Sequence, residues 1–114
     1  MRNINSLKKN SQFQLVYNQK KSYANKYLIM YVAPNEVDEV RIGISVSKRV
    51  GNSIVRHRIT RLVRETYRLN KDKLVKGLDI IIVARPMAKE QGYMEIERAF
   101  FHVGKMHQIF KESK

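Results

Sequence analysis

The strongest pattern of hydrophobic and polar positions predicts a long amphipathic helix that begins near residue 53. At about 100° per residue, its apolar side chains fall within one sector and its cationic side chains fall almost opposite. The apolar sector consists of Val55, Ile59, Leu62, Val63, Thr66 and Leu69. The cationic sector consists of His57, Arg61, Arg64 and Arg68. We therefore expect one face of this helix to pack on a core and the other to carry positive charge.

Three further apolar segments predict strands. Residues 26–33 form the first, and residues 35–39 form a turn between it and a second strand at residues 40–47. The second strand alternates strictly, which predicts one core face and one polar face. The core face consists of Val40, Ile42, Ile44 and Val46, and the polar face consists of Arg41, Gly43, Ser45 and Ser47. Residues 78–84 form the third strand, and their almost unbroken apolar run is typical of a strand covered on both faces.

Helices are also predicted near both ends of the chain. Residues 11–18 form the first, with Asn10 or Ser11 as its N-cap, and residues 93–111 form the last. The order α-β-β-α-β-α predicts an α+β fold, a two-layer sandwich with a small mixed sheet, in which the first strand region can be split. No repeat or linker interrupts the pattern, so we expect residues 1–114 to form a single domain.

Positive charge is concentrated in two parts of the chain. The 114 residues contain 23 Lys and Arg against 10 Asp and Glu, which gives a net charge of +13. Residues 1–26 hold six cations and no acid, and residues 41–68 hold eight cations against Glu65 alone. Because the hydrophobic fraction is 43%, we expect a folded body whose charged surface meets a polyanion. A localised basic patch of this kind predicts binding to nucleic acid.

Several function classes find no support in the sequence. The absence of cysteine excludes disulfides and thiol nucleophiles and fits a cytoplasmic location. No apolar run approaches the ~20 residues of a membrane-spanning helix, so we expect no membrane partner. The chain lacks a nucleophile elbow, a zinc-protease motif and a glycine-rich phosphate loop. We therefore expect no catalytic residue, metal ligand or cofactor on the protein, and we interpret the acids of residues 36–39 as a solvated turn.

Residues 48–65 have the chemistry of a phosphate-binding site. Gly51 lets a turn bring backbone N–H groups close to an anion, and the start of the following helix adds partial positive charge. Arginine makes bidentate contacts to phosphate, and arginines this dense repel one another unless an anion lies among them. A merely solvated helix would be expected to carry salt-bridge partners, and only Glu65 is available. The candidate RNA-binding residues are Lys48, Arg49, Asn52, Arg56, His57, Arg58, Arg61, Arg64 and Arg68.

Large apolar side chains in the first third of the chain allow two interpretations. Phe13 and Tyr17 stand four residues apart on one face of the first helix, and Ile29 and Tyr31 share one face of the first strand. They can be core residues, which is the commoner fate of such side chains. If the first helix packs across one edge of the sheet, they instead line a groove that holds single-stranded nucleic acid by stacking. The residue pattern alone leaves both interpretations open.

These segments together resemble the bacterial ribonuclease P protein subunit, over nearly the whole chain. The resemblance rests on the arginine-rich residues 48–65, on residues 7–9 leading into Phe13 and Tyr17, on the strand ending at Tyr31, on the Arg-x-Gly-x-Ser-x-Ser pattern of residues 41–47, and on the strand at residues 80–85. Each piece is weak alone, but their shared order and spacing are specific. The family usually has asparagine at the position of His57 and commonly a basic residue at that of Thr60, so these two contacts differ here.

The resemblance implies a left-handed crossover around the arginine-rich helix, against the usual right-handed rule. It also implies that a catalytic RNA subunit cleaves precursor tRNA with Mg²⁺ held mainly by the RNA. No obligate protein partner is evident from the sequence. The protein would bind this RNA and the 5′ leader of precursor tRNA. Carried over by position, Phe13, Tyr17, Ile29 and Tyr31 would line the leader cleft. The cations that would face the RNA subunit or the leader backbone are Lys48, Arg49, Arg56, Arg58, Arg61 and Arg64.

Three other functions compete with this one. A ribosomal or other structural RNA-binding protein fits the charge equally well but has no use for a leader-sized groove. A protein-only nuclease needs clustered acids or histidines, which the sequence does not show. A basic amphipathic membrane-binding protein must leave exposed the apolar helix face that is needed here to cover the sheet.

Overall fold

In the computed structural model, which describes residues 6–112, a four-stranded sheet carries helices on both faces. The helices are α1 (Asn10–Asn18), α2 (Ser53–Asn70) and α3 (Tyr93–His107). The strands are β1 (Ser22–Ala24), β2 (Leu28–Pro34), β3 (Arg41–Ser45) and β4 (Leu78–Ala84). Short 3-10 helices occupy Lys71–Lys73 and Pro86–Glu90. The α+β class with a small mixed sheet is confirmed, and β1 is an additional strand before the predicted first one.

The strand order across the sheet is β1-β2-β4-β3. β2 runs antiparallel to β1 and β4, whereas β3 runs parallel to β4, and α2 connects these two parallel strands. The hand of this crossover stays a prediction. Ile29 of β2 pairs with Val83 of β4, which pairs with Ser45 of β3. The start of β2 therefore lies at the same end of the sheet as the loop that follows β3.

α2 and α3 cover one face of the sheet and form the main core with it. Met30, Ile42 and Ile82 come from three different strands and lie in one cluster with Ile59 of α2 and Phe100 of α3. All five are almost fully buried. The predicted core face of β3 is confirmed, because all four of its members are buried in this cluster or pack against it.

The prediction that Leu69 belongs to the buried apolar sector of α2 is wrong. Leu69 is 54% exposed, whereas Tyr67 is 3% exposed and lies in the main core. Tyr67 forms a row with Ile59 and Val63 at spacings of four residues, so the buried face of α2 is centred on that row. Leu69 is left at the flank of this face, because the sheet and α3 lie against the row and not against the centre of the apolar sector.

α1 packs on the opposite face of the sheet and adds a partial third layer to the two expected. A second, smaller core forms there around the buried side chains of Leu7, Val16, Ala33 and Ile81. Gly43 of β3 is buried beneath this layer. The polar face predicted for β3 is therefore only partly exposed. Arg41 and Ser45 are half-buried and Ser47 is exposed, whereas α1 and Leu7 cover Gly43. Alternation within one strand cannot show which distant element packs on it.

Two helix ends differ from the prediction. The N-cap of α1 is Lys9 instead of either predicted residue. α3 ends at His107 and not at residue 111, because Gln108 adopts a left-handed backbone with a φ of 60°. Phe110 therefore lies beyond the helix and packs back against it. No helix within residues 6–112 is long and apolar enough to span a bilayer.

Candidate nucleic-acid interface

The loop between β3 and α2 is held in place by its own residues. Val50 is 2% exposed and anchors the loop in the main core, and its N–H closes a turn by donating to the carbonyl three residues earlier at 3.0 Å. Asn52 is the N-cap of α2, and its Oδ1 accepts from the N–H of Val55 at 3.0 Å. Asn52 therefore has a structural task besides the proposed contact to RNA. Lys48 and Arg49 lie exposed on this anchored turn.

The cations of α2 fall into two groups by exposure. The exposed group consists of His57, Arg61, Arg64 and Arg68. Arg56 and Arg58 are half-buried, because their guanidinium groups bind backbone carbonyls. Nε of Arg56 donates to Gly51 at 3.2 Å. Arg58 donates through Nη1 and Nη2 to the carbonyl of Gln91 at 3.0 and 2.7 Å, and so ties α2 to the loop before α3.

Two arginines within residues 41–68 form ion pairs with acidic side chains. Arg41 makes a bidentate ion pair with Asp79 on the neighbouring strand, with both contacts at 2.8 Å. Asp79 is buried, and the hydrogen bond to it raises the pKa of Arg41. Arg68 pairs with Glu65 one turn earlier on α2, and the hydrogen bond lowers the pKa of Glu65. Two of the eight cations of residues 41–68 are thus compensated within the protein.

Phe13, Tyr17, Ile29 and Tyr31 lie together on the α1 face of the sheet, and we call them the aromatic cleft. The ring centroids of Phe13 and Tyr17 are 6.4 Å apart, and Tyr17 meets Tyr31 edge to face at 4.8 Å. All four side chains are half-buried and so present surface to a ligand. Phe13, Tyr17 and Tyr31 also pack on the second core. Burial raises the pKa of Tyr17, and the nearby Tyr31 adds to this effect. The Tyr17 hydroxyl is therefore neutral at physiological pH and does not repel phosphate.

The aromatic cleft meets the loop between β3 and α2 at one end of the sheet. We call this loop, which carries Lys48 and Arg49, the basic loop. Ile29 of the cleft pairs with Val83, and Val83 pairs with Ser45, the last residue of β3. Lys48 and Arg49 follow in the loop. A single strand whose bases stack in the cleft therefore has cations for its backbone close to the end of the cleft.

Further residues lie beside the aromatic cleft and the basic loop. Val83 is half-buried beside the aromatic cleft, and its alternation with the buried Ile81 was the available signal. Lys26 and Arg85 line one pocket together with Arg49. The sequence gives no signal for this proximity, because the three cations lie in separate segments.

The remaining titratable groups are dispersed. Across residues 6–112, no three His, Cys, Asp or Glu side chains lie close enough together to hold a metal ion. His102 contacts Asn25, and His107 bonds the carbonyl of Met30. What the described interface offers a ligand is aromatic surface, guanidinium and ammonium donors, and the start of α2.

A family model described as ribonuclease P matches residues 1–108. The chain belongs to the ribonuclease P protein family. The ribonuclease P protein component of Lachnoclostridium phytofermentans is 56% identical over 109 residues, which cover 96% of this chain and 94% of that protein. The component of Alkaliphilus metalliredigens is 50% identical over 103 residues, which cover 90% of this chain and 93% of that protein.

Solved structures of ribonuclease P proteins have a similar fold. The Staphylococcus aureus protein matches with a TM-score of 0.86 and 37% identity, covering 93% of this chain and 97% of that one. The Thermotoga maritima protein matches with a TM-score of 0.81 and 27% identity, covering 89% and 96%. The resemblance found in the sequence is confirmed. The protein is a component of ribonuclease P, the ribonucleoprotein endoribonuclease that processes precursor tRNA, and its partner in that complex is RNA.

Proposed function

We propose that this single RNA-binding domain is the accessory subunit that binds the catalytic RNA and the 5′ leader of precursor tRNA, while the RNA carries the hydrolysis. The observation that carries the proposal is the meeting of the aromatic cleft and the basic loop at one end of the sheet. This role places the protein where precursor tRNA is made, which in a bacterium is the cytoplasm.

The aromatic cleft suits the single-stranded leader. Bases of single-stranded RNA stack on aromatic side chains, and each stacked base is worth about 1–3 kcal/mol. The ring centroids of Tyr17 and Tyr31 are 4.8 Å apart, edge to face, and both side chains are only half-buried, so part of each stays accessible to a base. Stacking is tolerant of sequence, which fits a subunit that must accept the leaders of different precursor tRNAs.

The exposed cations of the basic loop and α2 suit the folded RNA subunit. Arg61 and Arg64 are exposed and make no ion pair with a described carboxylate, and Lys48 and Arg49 extend the same basic surface before the helix. Arginine forks on a rigid helix make bidentate contacts to phosphates at fixed spacings. These contacts also reduce the repulsion between the phosphates of substrate and RNA subunit.

The protein's own residues bind and orient under this proposal, and no side chain takes part in bond cleavage. Magnesium, held mainly by RNA phosphates, supplies the charge stabilisation and the activated water for phosphodiester hydrolysis. The protein lowers the amount of Mg²⁺ that is needed, because its cations replace part of the screening that the ions would otherwise provide.

Reconstitution with a bacterial ribonuclease P RNA tests this function. We expect the protein alone to cleave nothing and the mixture to cleave precursor tRNA at a low magnesium concentration at which the RNA alone is slow. A variant with Arg61→Gln and Arg64→Gln is the matched control, since both side chains are exposed and the fold should persist, and it should restore less activity. If the wild-type protein gives no gain over RNA alone, the proposed function is wrong.

A further inference from the structure

A groove of about 410 Å³ lies on the α3 side of the sheet, away from the aromatic cleft. It runs between the turn that joins β1 to β2 and the exposed face of α3. Its lining includes Asn25, Lys26, Tyr27, Arg98, Ala99 and His102, and we call it the hairpin groove. No part of it belongs to the arginine-rich loop and helix.

The floor of the hairpin groove is built by Asn25. Its Oδ1 accepts hydrogen bonds from the N–H groups of Tyr27 and Leu28 at 3.1 and 2.9 Å, which fixes the orientation of the amide. Nδ2 then donates to the carbonyl of Ala99 at 2.9 Å and lies 3.2 Å from Nδ1 of His102. Because an amide nitrogen only donates, Nδ1 of His102 is the acceptor, and Nε2 carries the ring proton. His102 is exposed and lines the groove.

The rim of the hairpin groove is cationic. Lys26 and Arg98 are exposed, and neither makes an ion pair with a described carboxylate. Glu95 is the one acid in the lining, and its Oε1 accepts from the N–H of Gly92 at 3.2 Å at the start of α3. Arg85 braces the turn by donating from Nη1 to the carbonyl of Asn25 at 3.0 Å. Positive charge therefore exceeds negative charge around the rim of the hairpin groove.

The hairpin groove is continuous with the basic loop. A neighbouring pocket of about 480 Å³ shares Asn25 and Lys26 with it and adds Arg49 and Arg85. Cations from four separate segments thus form one path from the loop before α2, around the end of the sheet, to Arg98 on α3. Such a path matches the regular negative charge of a sugar–phosphate backbone better than it matches a single small anion.

We infer that the hairpin groove binds the sugar–phosphate backbone of the RNA subunit and extends the contact of the basic loop around the end of the sheet. The inference rests on the proposed function. The groove lies on the face that α2 and α3 share, whereas the aromatic cleft lies on the opposite face. A leader stacked in the aromatic cleft is therefore separated from the groove by the sheet, and the RNA subunit that contacts α2 is the partner within reach.

The test measures the affinity of the RNA subunit for protein variants across a range of salt concentrations. Replacement of two phosphate-binding cations by Lys26→Gln and Arg98→Gln should reduce the magnitude of the log–log salt slope by about 1.4 to 1.8. The matched control, Lys76→Gln with Lys111→Gln, also removes two exposed cations, but at the opposite end of the sheet beside Asp38 and Asp72. The control should keep the wild-type slope. Thermal unfolding of all three proteins checks that the folds are equivalent.

Two further measurements show whether the groove binds phosphates of the RNA subunit or phosphates of precursor tRNA. Binding of precursor tRNA to the preformed holoenzyme should be unchanged by the groove variant, and a loss confined to precursor tRNA would overturn the assignment to the RNA subunit. Acetylation of Lys26 in the wild-type protein should be suppressed by the RNA subunit, whereas acetylation of Lys76 should not.

The outcomes distinguish this inference from the proposed function. If the wild-type protein binds the RNA subunit and the groove variant keeps its slope, only the hairpin groove is wrong. If the salt slope of the control variant falls as much as that of the groove variant, the effect comes from net charge, and the inference about the groove is again wrong. If the wild-type protein does not bind the RNA subunit, both proposals fall.

Discussion

Phe13 of α1 lies directly over Gly43 of β3, so closely that a Cβ atom on Gly43 would stand 2.6 Å from Cζ of the phenylalanine ring. Non-bonded carbon atoms do not approach to that distance, so α1 can lie this near the sheet only because residue 43 has no side chain. Because Phe13 belongs to the aromatic cleft, the same contact fixes one wall of the proposed leader site. The absence of a side chain in β3 thus shapes a surface formed by another element.

Gly43→Ala is expected to displace the Phe13 ring and to weaken binding of precursor tRNA, while binding of mature tRNA, which has no leader, stays the same. Overpacking of this kind costs about 1–3 kcal/mol of folding stability. Fluorescence titration with both RNAs and urea unfolding measure the two effects.

The double variant Gly43→Ala with Phe13→Leu is the control for this contact. The smaller side chain relieves the overlap, so the alanine should cost less stability in the Phe13→Leu background than in the wild type. Equal costs in both backgrounds would show that the Phe13 ring is not what the alanine meets.

Tyr31→Ala should weaken binding of precursor tRNA by about 1–3 kcal/mol, the loss of one stacked base, and leave mature tRNA unaffected. The substitution removes the ring that meets Tyr17 at 4.8 Å. Tyr31→Phe is the matched control, since it keeps the aromatic surface, and its affinity should stay close to that of the wild type. Equal losses for precursor and mature tRNA with Tyr31→Ala would argue against a leader site.

Elements with strong local patterns could be predicted from the sequence. β4 matches residues 78–84 at both ends, because an apolar run interrupted only by Asp79, between a glycine and an Arg-Pro pair, leaves little freedom. The N-cap Asn52 was also predictable, since capping needs only a side chain of the right type beside the helix. β1 could not be predicted, because all three of its residues are exposed and it is held by pairing with β2.

The residues of the candidate site could be predicted from the sequence, but the partners that its arginines bind could not. The family resemblance groups Arg58 with Arg61 as cations that face RNA, yet the partner of Arg58 is the carbonyl of Gln91, 33 residues away. Arg41 likewise looks like part of the basic segment until the sheet register places it beside Asp79. Long-range pairing of this kind depends on tertiary packing, which local spacing does not encode.

Arg58 and Arg61 should therefore respond differently to substitution. Arg58→Gln removes the charged hydrogen bonds to Gln91, which are worth about 1.5–3 kcal/mol in similar cases, and should lower the free energy of unfolding. Arg61→Gln changes an exposed side chain and should leave stability unchanged while weakening binding to the RNA subunit.

Urea unfolding and RNA titration of the two variants separate these effects. The salt slope should fall in magnitude by about 0.7 to 0.9 for Arg61→Gln, the value for one phosphate contact. If both variants lose stability equally, the distinction between a structural and an RNA-facing arginine is wrong.

His107 should make folding stability depend on pH. Its Nε2 bonds the carbonyl of Met30 at 2.8 Å, and burial, together with the nearby Lys21, lowers its pKa below the ordinary value of 6.5. Above pH 6.5 the ring is neutral in both the folded and the unfolded chain, so stability does not change with pH. As the pH falls below 6.5, the unfolded chain takes up the proton first, which lowers the free energy of unfolding. This loss continues until the pH has passed the pKa of the folded state. In His107→Gln the amide can still donate to Met30 but does not titrate, so urea unfolding between pH ~7.5 and ~5 should show a shallower decline than in the wild type. An identical decline in both proteins would mean that other groups are responsible.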